Sequence, residues 1–470
     1  MMKQRHTMKV QGWVKVLPFY LFTLLPSNAQ QPWTLEQCID YAVTHNISIK
    51  QYENRQRQQE LQLSTARWQR LPDLNASASE NFSFGRGLTS ENTYTNTNTS
   101  STSFSLGTSI PLLTGNRIPK NIELSRLNLE ASTQDLEKAK NDIRVQVAQQ
   151  YVQVLYDMEI SGVARRQVAI DSAQVARLES LLKLGRASEA EVAQQRAALA
   201  QSRLTVTQAD NNTQLALLSL SQLLELPSPE GFSISSTVAV ADSSKATGRR
   251  DSGNLLTLNS SLLTLNFPLP SPDAIYAEAL AIRPEIQAEK LRLKGADANI
   301  DIARSSLFPS LSFSAGLGSN YYKTSGFPAD DFSKQMKNNF SQYLGFNLSV
   351  PIFNRFSVRN NIRSAKIDRE NQLLSLDNTK KQLYKEIQTA YYNTLTSRQK
   401  LQSSEEAYRS SKTAFSLMQA KYEVGKATST EFNEARANLL KTESDLTQAR
   451  YEYLYQTALI QFYRGQPLHF

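Results

Sequence analysis

The chain has 470 residues, a formal net charge of +9 and one cysteine, Cys38. A single cysteine excludes an intrachain disulfide, and a modest charge with both signs interspersed does not indicate a nucleic-acid partner. The histidines, His6, His45 and His469, stand far apart, so the sequence offers no histidine-based catalytic set and no metal cluster. We therefore expect neither an enzyme nor a bound cofactor.

The first 29 residues have the pattern of a secretory signal peptide. A positively charged start precedes an apolar stretch at residues 16–25, and a small-residue cleavage site ends at Ala29. Beyond Ala29 there is no run of 18 apolar residues, the length that a membrane-spanning helix needs. Residues 35–37 make a poor lipidation site before Cys38, so we expect an unlipidated chain in which Cys38 is a small apolar packing residue.

The rest of the chain is a tandem duplication. A shift of 237 residues places Pro72 on Pro309, and a shift of 240 places Gly185 on Gly425 and Arg196 on Arg436. Matches that keep such residues in phase over this length indicate an internal repeat. We divide the chain into a signal peptide (1–29), repeat 1 (30–227), an inter-repeat segment (228–270) and repeat 2 (271–470).

Each copy begins with the pattern of a helix followed by strands. The spacing predicts a helix over residues 35–71 in the first copy and 272–308 in the second, each ended by a proline. Alternating apolar and polar residues then predict two strands in each copy. The polar tracts between these strands, residues 86–101 and 319–339, are typical of exposed loops.

A long helical hairpin completes each copy. The pattern predicts a long helix over residues 117–184 and 357–424, a turn at Gly185 or Gly425, and a return helix to about Leu224 or Tyr463. A helix of that length extends about 100 Å at about 1.5 Å per residue. A soluble globular domain has no use for such a rod, whereas a duct across the periplasm needs one.

The sequence resembles the TolC-like outer-membrane efflux proteins. The resemblance covers nearly all of the chain after the signal peptide, and it rests on the duplication, the element order and the two hairpin turns at residues 182–191 and 422–431. In the second turn Tyr422, Gly425 and Glu431 match the family pattern, whereas the first has Leu182 in place of the tyrosine. The resemblance implies an α+β membrane protein. Its long α-helical coiled-coil barrel would be continuous with a trimeric 12-stranded β-barrel, to which each chain gives four strands.

The implied function is that of an outer-membrane exit duct in a tripartite efflux or type I secretion system. Such a homotrimer sits in outer-membrane lipid with its helices in the periplasm, and it passively conducts substrates from an inner-membrane pump. The pump connects to the duct through a periplasmic adaptor protein. The alternative is a periplasmic coiled-coil structural or adaptor protein without a barrel, but the two strand regions of each copy argue against that class.

In this family the hairpin tips close the tunnel and contact the adaptor. A second role is open for these residues, because Ser188-x-x-Glu191 and Thr428-x-x-Glu431 have the pattern of helix capping boxes. The two glycines also fit the left-handed position that follows a helix. The tip positions that the resemblance assigns to the gate or to adaptor contact are Gly185, Glu191, Tyr422, Gly425, Lys426, Glu431 and Glu434.

Overall fold

The computed structural model describes residues 32–88, 92–235 and 269–468. The predicted signal peptide and most of the predicted inter-repeat segment therefore lie outside the described residues. Repeat 1 contains α1 (Leu35–His45), α2 (Ile47–Trp68), β1 (Asn75–Leu88), β2 (Tyr94–Thr114), α3 (Arg117–Lys183) and α4 (Glu189–Leu223). Repeat 2 contains α5 (Pro272–Ile282), α6 (Pro284–Ser305), β3 (Ser310–Thr324), α7 (Phe332–Asn338), β4 (Ser341–Ser349), α8 (Ser357–Glu423) and α9 (Ser429–Tyr463).

The helices of the two repeats coincide at the residue shifts found in the sequence. The long helices α3 and α8 each contain 67 residues, and the return helices α4 and α9 each contain 35. The same agreement holds for α1 with α5, at 11 residues each, and for α2 with α6, at 22 residues each. The tandem duplication is therefore confirmed in three dimensions.

The prediction of one continuous first helix in each copy is wrong. The helix breaks at Asn46 in repeat 1 and at Arg283 in repeat 2, where the backbone is extended, with ψ of 130° and 124°. At Arg283 the following Pro284 disfavours the helical conformation. At Asn46 the side-chain amide donates a hydrogen bond to the carbonyl of Leu223, at 3.1 Å, and its oxygen accepts one from the backbone of Ser48.

The first polar tract predicted as a loop is largely strand, and the second contains the end of a strand and a short helix. β1 and β2 pair without interruption up to Leu88 and Tyr94, so residues 86–88 and 94–101 belong to the ladder. Threonine recurs at every second position from Thr93 to Thr99, and β-branched side chains fit a pleated sheet. In the second tract β3 continues to Thr324, and the short helix α7, which the pattern did not predict, follows it.

The four strands form one antiparallel sheet in the order β1-β2-β3-β4. Adjacent strands come from consecutive positions in the chain, and β2 pairs with β3 across the repeat boundary. The two edge strands, β1 and β4, each have one paired side within the described residues.

The helices pack as a layer whose order interleaves the repeats. In the half nearest the strands, α6 lies between α3 and α8, and in the other half α9 contacts both α8 and α3. The core is a thin seam, in which Val147 and Val154 of α3 are fully buried. Cys38 and its counterpart Ile275 are also fully buried, which confirms the predicted packing role of Cys38. Among the described helices, none combines the length and the apolar character needed to span a membrane.

Candidate functional site

Both helical hairpins turn through the same hydrogen-bonded motif. Gly185 and Gly425 adopt left-handed φ values of 68° and 72°. The amide of Gly425 donates to the carbonyl of Tyr422 at 3.1 Å, and the amide of Lys426 donates to the carbonyl of Lys421 at 2.9 Å. This is the Schellman pattern, in which a left-handed residue satisfies the last carbonyls of a helix. The first hairpin repeats the pattern around Gly185, so the predicted turn role of both glycines is observed.

Both return helices begin with a capping box. The Thr428 hydroxyl accepts a hydrogen bond from the amide of Glu431 at 3.2 Å, and the Glu431 carboxylate accepts one from the amide of Thr428 at 2.8 Å. Hydrogen bonds from the backbone and the side chain of Thr428 hold the pKa of Glu431 below its ordinary value. Ser188 and Glu191 make the same reciprocal bonds at the start of α4. The carboxylates therefore stabilise the first turns of α4 and α9.

An aromatic stack lies behind the second turn. The ring of Tyr422 is stacked on the ring of Phe432, with centroids 4.7 Å apart and planes at 17°. Phe432 is buried and also contacts Phe415, at 5.6 Å between centroids. Leu182 stands at the position of Tyr422 in the first hairpin, so this stack distinguishes the two tips.

The structure brings the tip candidates to the same end of the molecule. Ser429 of the second tip donates to the side chain of Gln194 on α4 at 3.4 Å, and Arg177 of α3 donates to the carbonyl of Glu423 at 3.4 Å. The exposed tip candidates are Gly185, Gly425, Lys426, Glu431 and Glu434, whereas Glu191 and Tyr422 are partly buried. Their roles in gating or in adaptor contact stay predictions.

Sequence reasoning missed a buried polar cluster further along the hairpins. Asp171 of α3 is fully buried and forms an ion pair with Arg436 of α9. Asp171 also accepts hydrogen bonds from Gln167 at 3.0 Å, from Gln195 at 3.5 Å and from the hydroxyl of Ser202. The cluster joins three helices from both repeats. The sequence shows Asp171 only as an acidic residue within a long predicted helix. That position alone does not indicate that Arg436 is its partner.

The sheet has two faces of different chemistry. On one face serine side chains form cross-strand pairs, such as Ser77 with Ser105 and Ser79 with Ser103, each with 2.7 Å between the hydroxyl oxygens. On the opposite face the register aligns Phe313 with Phe346, whose rings lie 5.1 Å apart. Other exposed apolar residues on that opposite face are Phe82, Phe84, Phe104, Leu106, Leu317, Leu344 and Leu348.

The tyrosines of the sheet divide between these faces. Tyr94 and Tyr321 share the apolar face with Phe82 and Phe84, whereas Tyr322 and Tyr343 lie on the serine face. There the ring of Tyr343 covers Gly316, where an added β-carbon would come within 2.5 Å of the ring. Over residues 32–88, 92–235 and 269–468, no group of three or more His, Cys, Asp or Glu side chains could hold a metal ion.

The comparisons identify the family. The sequence profile of the outer membrane efflux protein family matches residues 38–225 and 275–465, one stretch in each repeat. The chain therefore belongs to this family. This membership confirms the predicted outer-membrane location, and it places the chain in a class of efflux proteins rather than enzymes.

Curated relatives and solved structures agree with this assignment. The probable efflux pump outer membrane protein TtgC of Pseudomonas putida is 25% identical over 199 residues, which cover 41% of this chain and 38% of TtgC. The pyoverdine export outer membrane protein OpmQ of the same species is 23% identical over 338 residues, 72% of this chain and 64% of OpmQ. The matched stretches thus cover less than two thirds of either relative.

The fold is that of solved outer-membrane channels. The Campylobacter jejuni channel CmeC superposes with a TM-score of 0.70 and 19% identity, covering 93% of this chain and 86% of CmeC. CusC superposes with a TM-score of 0.71 and 18% identity, covering 92% and 91% of the two chains. The predicted fold class, with long helices, four strands per chain and a tandem duplication, is confirmed.

Proposed function

We propose that three copies of this chain form the outer-membrane exit duct of a tripartite efflux or secretion system. The observation that carries the proposal is the four-stranded sheet, with its apolar face and two open edges, continuous with helices about 100 Å long. Open strand edges cannot remain in lipid, because their backbone groups would lack hydrogen-bond partners. Pairing β4 of one copy with β1 of the next satisfies them.

Three copies supply 12 strands, four from each chain, an even number within the range of outer-membrane barrels. The apolar face would meet lipid and the serine face would line a polar lumen. β4 has nine residues, about the length of a strand that crosses the hydrocarbon core. The contact between β4 of one copy and β1 of the next is head-to-tail. Three such contacts would close the copies into a ring, as in other cyclic oligomers.

The helices would continue the lumen through the periplasm, and the exposed hairpin tips would meet a periplasmic adaptor and the pump beyond it. TtgC and OpmQ are named for efflux and export, which favours a conduit that does no chemistry of its own. The exposed apolar face of the sheet argues against the alternative of a periplasmic coiled-coil protein, because such a protein has no use for that face.

The test is the behaviour of the full-length protein in its host membrane. We expect it to be extracted from the outer membrane with detergent, to have the native mass of a trimer, and to conduct ions in planar bilayers. Recovery from the soluble periplasm as a monomer would overturn the proposal.

A further inference from the structure

The interface between the two repeats inside one chain contains ion pairs. They join α3 of repeat 1 to α6 and α9 of repeat 2. They are spread along α3, from its start near the sheet to its last third before the turn at Gly185. The pairs are Lys120–Asp301 at 3.2 Å, Asp135–Arg292, Arg166–Glu443 at 2.8 Å and Asp171–Arg436.

The duplication gives this interface a counterpart on the other side of the chain. Adding 240 to a position in α3 gives its counterpart in α8, and subtracting 240 from a position in α9 gives its counterpart in α4. The contact of α3 with α9 inside one chain therefore corresponds to a contact of α8 with the α4 of another copy. A shift of 237 relates α6 to α2 in the same way.

The counterpart positions keep opposite charges for one of the four ion pairs and not for the other three. Arg166–Glu443 becomes Glu406 with Arg203, an opposite-charge pair whose signs are exchanged. The other three lose at least one charge. Their counterparts are Asn360 with Ser64, Ser375 with Arg55, and Ser411 with Arg196.

The apolar residues of the two faces match in the same register. Val152 and Leu155 of α3 are 6% and 3% exposed, in a cluster that includes Tyr455 of α9. Their α8 counterparts, Tyr392 and Leu395, are 60% and 40% exposed. Leu215, the α4 counterpart of Tyr455, is 52% exposed. Apolar side chains that are covered inside the chain are thus left open at the equivalent outer positions, where a second copy would cover them.

We propose that α8 of one copy packs against α4 of the next copy, with Glu406 pairing with Arg203 of that copy. The inference rests on the proposed function, since it needs a ring of copies. Both side chains are available, because Arg203 is exposed and the Glu406 side chain is 70% exposed, with its nearest cation, Arg409, 3.7 Å away. The match between α8 and this chain's own α4 favours a second copy over an unrelated helix as the occupant.

The experiment is site-directed cross-linking in the full-length protein with Cys38→Ala. The pair Glu406→Cys and Arg203→Cys is treated with a short bis-maleimide and separated under denaturing conditions. We expect covalent dimers and trimers from this pair, and neither from the two single variants. The matched control is Arg166→Cys with Glu443→Cys, the equivalent pair inside one chain, which should give a cross-linked monomer of altered mobility.

The outcomes separate the two proposals. If the native mass is a trimer and the control pair reacts, but the Glu406–Arg203 pair stays monomeric, the pairing is wrong and the duct stands. Covalent dimers from either single variant would also overturn the pairing. If the native mass is that of a monomer, the proposed function fails.

Discussion

Asp171 of α3 and Arg436 of α9, 265 positions apart in the sequence, form a buried ion pair between the two halves of the duplicated chain. The carboxylate has no solvent exposure and the arginine side chain is 12% exposed. Buried charges persist when they are paired and hydrogen-bonded, and here two glutamines and a serine complete the shell of the carboxylate. The pair lies 14 residues before Gly185 along α3, about 21 Å from the tip at about 1.5 Å per residue.

Removing this carboxylate should loosen the two hairpins of one chain. In Asp171→Asn the guanidinium of Arg436 stays buried without a counter-ion, and breaking a buried pair in this way costs about 3–5 kcal/mol. We expect the melting temperature of the purified trimer to fall by several degrees and the leak conductance in planar bilayers to rise. Calorimetry and single-channel recording measure these two effects.

Glu179→Gln is the matched control, because it breaks the 2.6 Å pair of Glu179 with Arg196, the repeat-1 counterpart of Arg436. The Arg196 side chain is 64% exposed and the Glu179 side chain 38%. Because water screens such a pair, its loss should cost less than about 1 kcal/mol. Equal falls in melting temperature for the two variants would contradict a special role for the buried pair.

The capping box of the second tip should make the start of α9 sensitive to acid. Hydrogen bonds from Thr428 lower the pKa of Glu431 in the folded chain. A carboxyl whose folded pKa is lowered stabilises the fold fully above its ordinary value of about 4.5, and that contribution is lost as the pH falls through the folded pKa. We expect the amide protection of residues 428–435 to decrease below about pH 4.5.

Hydrogen exchange followed by mass spectrometry, corrected for the intrinsic rate at each pH, measures this protection. Glu431→Gln cannot titrate, so its protection should be independent of pH in this window. Glu434→Gln removes an exposed carboxylate three positions further along α9 and should keep the wild-type profile. A profile in Glu431→Gln that still falls with pH would assign the effect to another group.

The parts of the fold set by local chemistry could be predicted from the sequence. The ends of the long helices follow from Gly185 and Gly425, and the starts of the return helices follow from the Ser188 and Thr428 caps. The break at Arg283 could also have been predicted, because the residue before a proline avoids the helical conformation. Asn46 is the repeat-1 counterpart of Arg283, so the duplication then predicts a break there as well, although no proline follows Asn46.

The rest depends on partners that are distant in the sequence. The hydrogen bond from Asn46 to Leu223 spans 177 positions, and the partner of Asp171 lies in the other repeat. The threonine-rich tract was interpreted as a loop from its composition, although its alternation was compatible with a strand. Residues 94–101 form a strand because they pair with β1. The sequence of this tract alone does not show that such a partner is present.

Neighbouring residues of β4 should respond oppositely to the same charge. Phe346 lies on the apolar face and Asn347 on the serine face. If the apolar face meets lipid, Phe346→Arg should destabilise the inserted sheet by about 2–4 kcal/mol. Asn347→Arg should instead be tolerated and should shift the ion selectivity of the channel towards anions, because it places positive charge in the lumen.

The heat stability of the trimer on denaturing gels and the reversal potential in a salt gradient measure the two effects. The variants differ by one position in the same strand, so a general intolerance of arginine in β4 would affect both. Loss of the trimer in Asn347→Arg alone would reverse the assignment of the two faces.

Tyr422 should hold the second tip closed mainly through its ring. Its stack on Phe432, at 4.7 Å, buries aromatic surface between α8 and α9, and such pairs contribute about 0.5–1.5 kcal/mol beyond the area that they bury. We therefore expect Tyr422→Ala to raise the leak conductance several-fold and Tyr422→Phe, which keeps the ring, to resemble the wild type. Leu182→Ala is the control at the equivalent position of the first hairpin, which lacks the stack, and it should have a smaller effect. If Tyr422→Phe leaks as much as Tyr422→Ala, the hydroxyl closes the tip by bonding to a neighbouring hairpin, and the ring serves only to place it.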